Sequence, residues 1–190
     1  VNDFIDYGNC FAMVEFVSES TEDPILQEPI QGFVGPRMVR ISPLDIVFDP
    51  TAARFEDTPK IIRSLKTLAS LKSEIESKPE MGYMNEIFKK VHDKRHQFQG
   101  TTAADYEKNA AFQVEGFGSW VEYMSSDYVE VLDFYGDLYD AETGELRKNR
   151  VITVVDRWLV IRDEPNPSWL GSAPIFHVGW RLRPDNLYAM

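Results

Sequence analysis

Apolar and polar side chains alternate through Tyr128–Tyr139 (YVEVLDFYGDLY), which predicts a strand with two differently dressed faces. Val129, Val131, Asp133 and Tyr135 fall on one face, and Glu130, Leu132 and Phe134 on the other. Asp140–Gly144 then supplies a hairpin loop, with a glycine available for positive φ. Val151–Val155 is strongly β-branched and predicts the returning strand. A bend at Asp156 precedes a further strand over Arg157–Ile161. The N-terminal third reads the same way. Phe4–Val17 predicts a strand, preceded by the end of a helix and broken at Tyr7-Gly8-Asn9. Ser18–Pro29 is acidic and carries two prolines, so a loop is expected. Gly35-Pro36-Arg37 reads as a turn. Met38–Phe48 is a second strand region interrupted at Ser42-Pro43, and Asp49-Pro50 ends it. A polar connection over Ala52–Pro59 leads to a third strand at Lys60–Leu65.

The period changes in the middle of the chain. Thr67 is placed to cap a helix over Leu68–Ser77, with Leu68, Leu71 and Ile75 on one face. Pro79 stops it. A second helix is expected over Met84–Gln97, with Met84, Ile87, Phe88 and Val91 inward. A weaker third spans Ala103–Phe112, and one helical turn falls near Ser119–Met124. Strands at both ends with helices between them predict an α+β fold. The expected organisation is a single domain over 1–190 with a mainly helical insertion at 67–124 and a β-hairpin or meander at 125–165. Val1 opens inside a regular pattern and Met190 ends without a polar tail, so the reading is of an internal piece of a longer chain.

Charge and cysteine narrow the function classes. The net charge is −11, which opposes gripping nucleic acid through phosphate neutralisation and otherwise favours solubility. Cys10 is the one cysteine, so no internal disulfide can form, and its apolar setting (NCFAMVEF) predicts a buried structural thiol. The apolar runs are only a few residues long, too short to predict a membrane-spanning helix.

Candidate chemistry is sparse. His92 and His96 stand at i and i+4 on a helix, a spacing that can present two imidazoles to one metal. The intervening Asp-Lys-Arg lacks the zinc-protease glutamate, and a solvated helix face is the better reading. Asp127, Glu130, Asp133, Asp137 and Asp140 lie along one strand and turn. Converging carboxylates could hold Mg²⁺, but alternation sends Glu130 and Asp133 to opposite faces, and a solvated or subunit-facing edge is expected. No nucleophile elbow, phosphate-cradling loop or dinucleotide glycine pattern occurs. Trp158, Trp169, Trp180 and Phe176 have no basic groove around them, so core packing or subunit contact is expected rather than base stacking.

Several segments in order resemble the wing region of tailed-bacteriophage portal (head–tail connector) proteins of the short-tailed type. They are Tyr7-Gly8-Asn9, RISPLDIVFDPTA (Arg40–Ala52), IIRSLKTLASLKSEI (Ile61–Ile75), SSDYVEVLDFYGDLYD (Ser125–Asp140), VITVVDRWLVIRDEPNP (Val151–Pro167) and APIFHVGWRLRPDNLYAM (Ala173–Met190). The resemblance implies a structural, non-enzymatic subunit with no cofactor, one of about a dozen in a closed ring at a single capsid vertex. It implies as partners other copies of the chain, the terminase motor, the capsid protein and tail or adaptor proteins. Double-stranded DNA would pass through the channel without sequence-specific binding, and the acidic chain suits a wall that DNA slides past. The implied location is the virion, assembled in the bacterial cytoplasm. No long stem helix or clip is recognisable. In such a ring Arg181 and Arg183 are candidates to pair with a neighbour's carboxylates, and Trp169 and Trp180 to anchor the subunit interface. Two readings from other classes stand beside this one. They are a metal-dependent nuclease or hydrolase built on the acidic strand or the two histidines, and a generic protein-interaction module.

Overall fold

A computed structural model describes residues 2–22, 29–49, 51–52, 54–77, 87–97, 113, 116–117, 120–168 and 171–179. The fold is α+β, with antiparallel sheets. In chain order the elements are α1 (Asn2–Tyr7), β1 (Asn9–Glu22), β2 (Pro29–Ile41), β3 (Ile46–Phe48), β4 (Lys60–Thr67), α2 (Leu68–Ser77), α3 (Ile87–Gln97), α4 (Trp120–Ser125), β5 (Tyr128–Tyr139), β6 (Leu146–Val155), β7 (Leu159–Pro165) and β8 (Ile175–Gly179). One sheet has the order β2-β1-β8 and the other β3-β4-β5-β6-β7. The expected helix at Ala103–Phe112 lies outside the described residues, as does the start of the helix expected from Met84.

The chain divides into two compact units. The first comprises residues 1–62, 134–150 and 165–190. Its core joins Phe11, Ile41, Ile46, Phe55 and Ile175, with Met13, Phe48, Ile62 and Tyr135 packed around them. Phe55 sits in the segment expected to be a polar connection. It turns inward because Phe11 and Phe48 offer it tilted and edge-on ring partners at 5.7 and 5.2 Å. β1 and β2 pair antiparallel from Phe11↔Ile41 to Glu22↔Pro29, with a register shift between Ser18 and Ser20. The acidic stretch from Ser18 is therefore strand as far as Glu22, and Gly35-Pro36-Arg37 is strand too. β2 is a sheet edge, where a proline costs no ladder bond, so Pro29 and Pro36 interrupt the propensity signal without interrupting the strand.

The second unit comprises residues 63–133 and 151–164. Its core joins Leu71, Val91, Val129, Val131, Val155 and Ile161. Leu68, Leu71 and Ile75 share the inward face of α2 as their spacing predicts. The Thr67 hydroxyl accepts a bond from the Ser70 amide at 3.1 Å, capping that helix. Val91 of α3 is fully buried. A smaller cluster packs Leu65, Phe117 and Met124 on the buried Tyr123 ring.

Two hairpins close the five-stranded sheet. Between β5 and β6, Asp140 Oδ1 accepts bonds from the amides of Glu142 and Thr143, and Gly144 takes a φ of 72°. Between β6 and β7 lie Asp156, Arg157 and Trp158, and the two central residues of the turn, Asp156 and Arg157, take φ 50° and 63°. The Trp158 amide donates to Val155 O at 3.3 Å across it. Two successive left-handed residues match a type I′ turn, which usually recruits Asn-Gly. Arg157 is thus a turn residue, and β7 begins at Leu159 rather than at Arg157.

Candidate functional site

The chemistry-bearing side chains of the second unit gather around the β6–β7 turn. Glu130, on β5, has none of its surface exposed. Arg157 forks onto both of its oxygens, Nε to Oε2 at 2.6 Å and Nη2 to Oε1 at 2.8 Å. Arg63 of β4 donates through Nε to Oε1 at 2.5 Å. The other turn residue, Asp156, receives a second fork. Arg95 of α3 donates Nε to Oδ2 at 2.9 Å and Nη2 to Oδ1 at 3.0 Å. Tyr123 of α4 donates its hydroxyl to Asp156 Oδ1 at 2.5 Å and accepts the Glu130 amide on the same oxygen at 2.5 Å. Arg95 also donates to Ser126 O and Tyr128 O, so it ties α3 to the start of β5.

Electrostatics follow from this geometry. Burial alone would raise the Glu130 carboxyl, but the hydrogen bonds from Arg157 and Arg63 hold it below the usual carboxylate range. Burial first, then the Asp156 carboxylate, push the Tyr123 phenol well above its ordinary value, so it remains a donor. All four carboxylate oxygens of Glu130 and Asp156 are engaged by guanidinium or phenol donors. Three arginines face two carboxylates here. The arrangement can clamp a strained turn and fix β4, β5, α3 and α4 around it; both carboxylates are already committed to protein donors.

The five acidic residues singled out from the sequence do not converge. Glu130 belongs to the clamp, a correction to the expected solvated edge: the arginines on β4 and β7's approach turn cover that face. Asp133 is half-buried, accepts the Thr153 hydroxyl at 2.6 Å, and burial raises its carboxyl above the ordinary range. Asp137 is exposed and accepts the Asn149 amide at 2.7 Å. Asp140 folds its own loop, and the Thr143 and Glu142 amides lower its carboxyl. Asp127 is exposed and gives its carbonyl to the Leu68 amide. Among the described residues no three of His, Cys, Asp and Glu approach closely enough to hold a metal ion. His92 and His96 lie on α3, but their side chains fall outside the described residues, as do Trp169, Trp180, Arg181 and Arg183. Trp158 is partly exposed, with the Lys94 ammonium 5.6 Å from its ring centre.

The first unit holds two further polar features. His177 of β8 lies against Phe11 and Phe55, with ring centres 4.9 and 5.3 Å apart, and its Nε2 meets Asn9 Oδ1 at 2.9 Å. The amide oxygen is an acceptor, so Nε2 carries the proton. Burial lowers the His177 pKa. Beside α1, a wide shallow depression of about 760 Å³ is lined by Asn2, Asp3, Cys10, Ala12, Met38 and Arg40. Arg40 forks onto Asp3 there, with both bonds at 2.5 Å. Cys10 is a half-buried free thiol in this depression rather than a fully buried one.

The arginine clamp was not legible as a site. Asp156-Arg157 is a poor I′ sequence between β-branched runs, and that misfit was the available signal. A scan against protein-family models returned no match, and a search of curated proteins returned none.

Proposed function

We propose that the chain is the wing part of a viral portal subunit, a non-enzymatic building block of the ring through which the genome enters and leaves the capsid. The observation that carries this reading is the order of the resembling segments. They fall in sequence on the α1–β1 break, β3, the β4–α2 corner, β5, the β6–β7 hairpin and β8. Function in this reading is geometric: copies bury head-to-tail surfaces and the rotation closes. Packaging work belongs to an ATPase partner, and the ring supplies docking for motor, capsid and tail proteins. The acidic charge keeps passing DNA from adhering.

Native mass spectrometry of the full-length chain, with negative-stain imaging, tests the proposal. The expected species is a closed ring of about a dozen copies around a central hole. A full-length chain that stays monomeric or dimeric across the micromolar range would overturn it.

A further inference from the structure

The two faces of the β2-β1-β8 sheet are unlike each other. Phe11, Ile41, Ile175 and His177 cover the core face. On the opposite face, Cys10, Ala12, Val14 and Phe16 project from β1, because successive strand residues alternate. Directly opposed residues share a face. The register therefore places Val178 beside Cys10, Phe176 beside Ala12, Met38 beside Val14 and Pro36 beside Phe16. This face is open. Phe16 is 73% exposed, Met38 72%, Val178 61% and Phe176 50%.

Three properties of the face bear on what covers it. The first is extent. These apolar side chains leave on the order of 500 Å² in water, toward the upper end of the about 300–600 Å² of the largest apolar patch on a typical monomer, a size that often marks a functional surface. With a polar rim that approaches the ~800 Å² per partner of a standard interface. The second is charge. Among the described side chains of this face the one ion, Arg40, is paired with Asp3. A chain of net charge −11 repels its own copies over most approaches, and a neutral apolar face is where two copies meet at least electrostatic cost. The third is relief. Small residues, Cys10 and Ala12, floor the depression beside α1, while Phe16 projects about 14 Å further along β1. The face thus has both a hollow and a projection, so one copy can seat its projection in the hollow of another.

We propose that this face is covered by a second copy of the same chain, with Phe16 and Met38 as its anchors. The inference stands on the sheet alone and does not depend on the portal reading.

Sedimentation velocity of the 190-residue chain across the micromolar range tests it, comparing wild type with Phe16→Ser and with Phe16→Ser/Met38→Ser. Both side chains are exposed, so the variants keep the fold, checked by circular dichroism and thermal melting. The wild type should associate, and loss of a central anchor should weaken association by about thirtyfold or more. A closed dimer lost in the variants supports the inference and counts against the ring. A ring lost in the variants supports both. Wild type that stays monomeric, or variants that associate as tightly as wild type, overturns the inference; a ring that persists in the variants overturns it while leaving the portal reading standing.

Discussion

Glu130 carries two guanidinium partners with no surface in water, and the difference between making and breaking that arrangement is large. Replacing a buried ion pair by apolar groups is often neutral, whereas removing one partner strands the other's charge. Glu130→Gln should destabilise the second unit by about 3–5 kcal/mol at pH 7, read by urea unfolding. The pH dependence has a definite sign. The folded carboxyl is depressed, so its stabilisation is present above the unfolded pKa and disappears as pH falls through the folded value. The gap between wild type and variant should therefore close progressively below about pH 4.5. A gap that stayed constant down to acid unfolding would show that the charge contributes nothing. Little of this was legible in the sequence. Alternation correctly separates Glu130 from Val129 and Val131, but it says nothing of what lies over each face. The arginines come from positions 63 and 157, far away along the chain.

Among the elements, legibility followed local physics. α2 could be read closely because a cap, a periodic face and a stop agree. The β5–β6 hairpin could be read because Asp140 and Gly144 form their loop from within it. β2 could not be read to its start, because its edge position tolerates prolines that would disqualify a central strand, and the polar end of β1 is strand through its pairing with β2. Nothing local in the sequence marks Gly136 of β5 either. Its φ is 152°, and a Cβ there would sit 2.8 Å from both Cα and Cβ of Pro59. Backbone cannot yield as a flexible side chain does. Gly136→Ala should cost more than about 2 kcal/mol by chemical denaturation. A loss within about 0.5 kcal/mol would mean that β5 and the Pro59 segment can separate without penalty.

For the molecule as a whole, the α+β class was legible from the succession of periods, whereas the division into two units was not. The boundaries fall inside β4, β5, β6 and β7, where no composition shift marks them. Net charge makes a prediction at this scale. If copies meet through a neutral apolar face while repelling elsewhere, association should tighten as salt rises from about 0.01 to about 1 M, as the screening length falls from about 30 to about 3 Å. Weakening with salt in sedimentation experiments would instead assign assembly to ion pairs such as those expected of Arg181 and Arg183.

The Asp156-Arg157 turn has a consequence for how the chain comes together. A turn with no glycine and two left-handed central residues has little tendency to form by itself. Its partners arrive from 27 and 61 residues earlier, Glu130 for Arg157 and Arg95 for Asp156. The β6–β7 hairpin should therefore form late in folding, after long-range closure of β5 and α3, and substitutions in the turn should give φ-values of about 0–0.3 in chevron kinetics; values near 1 would place it in the nucleus.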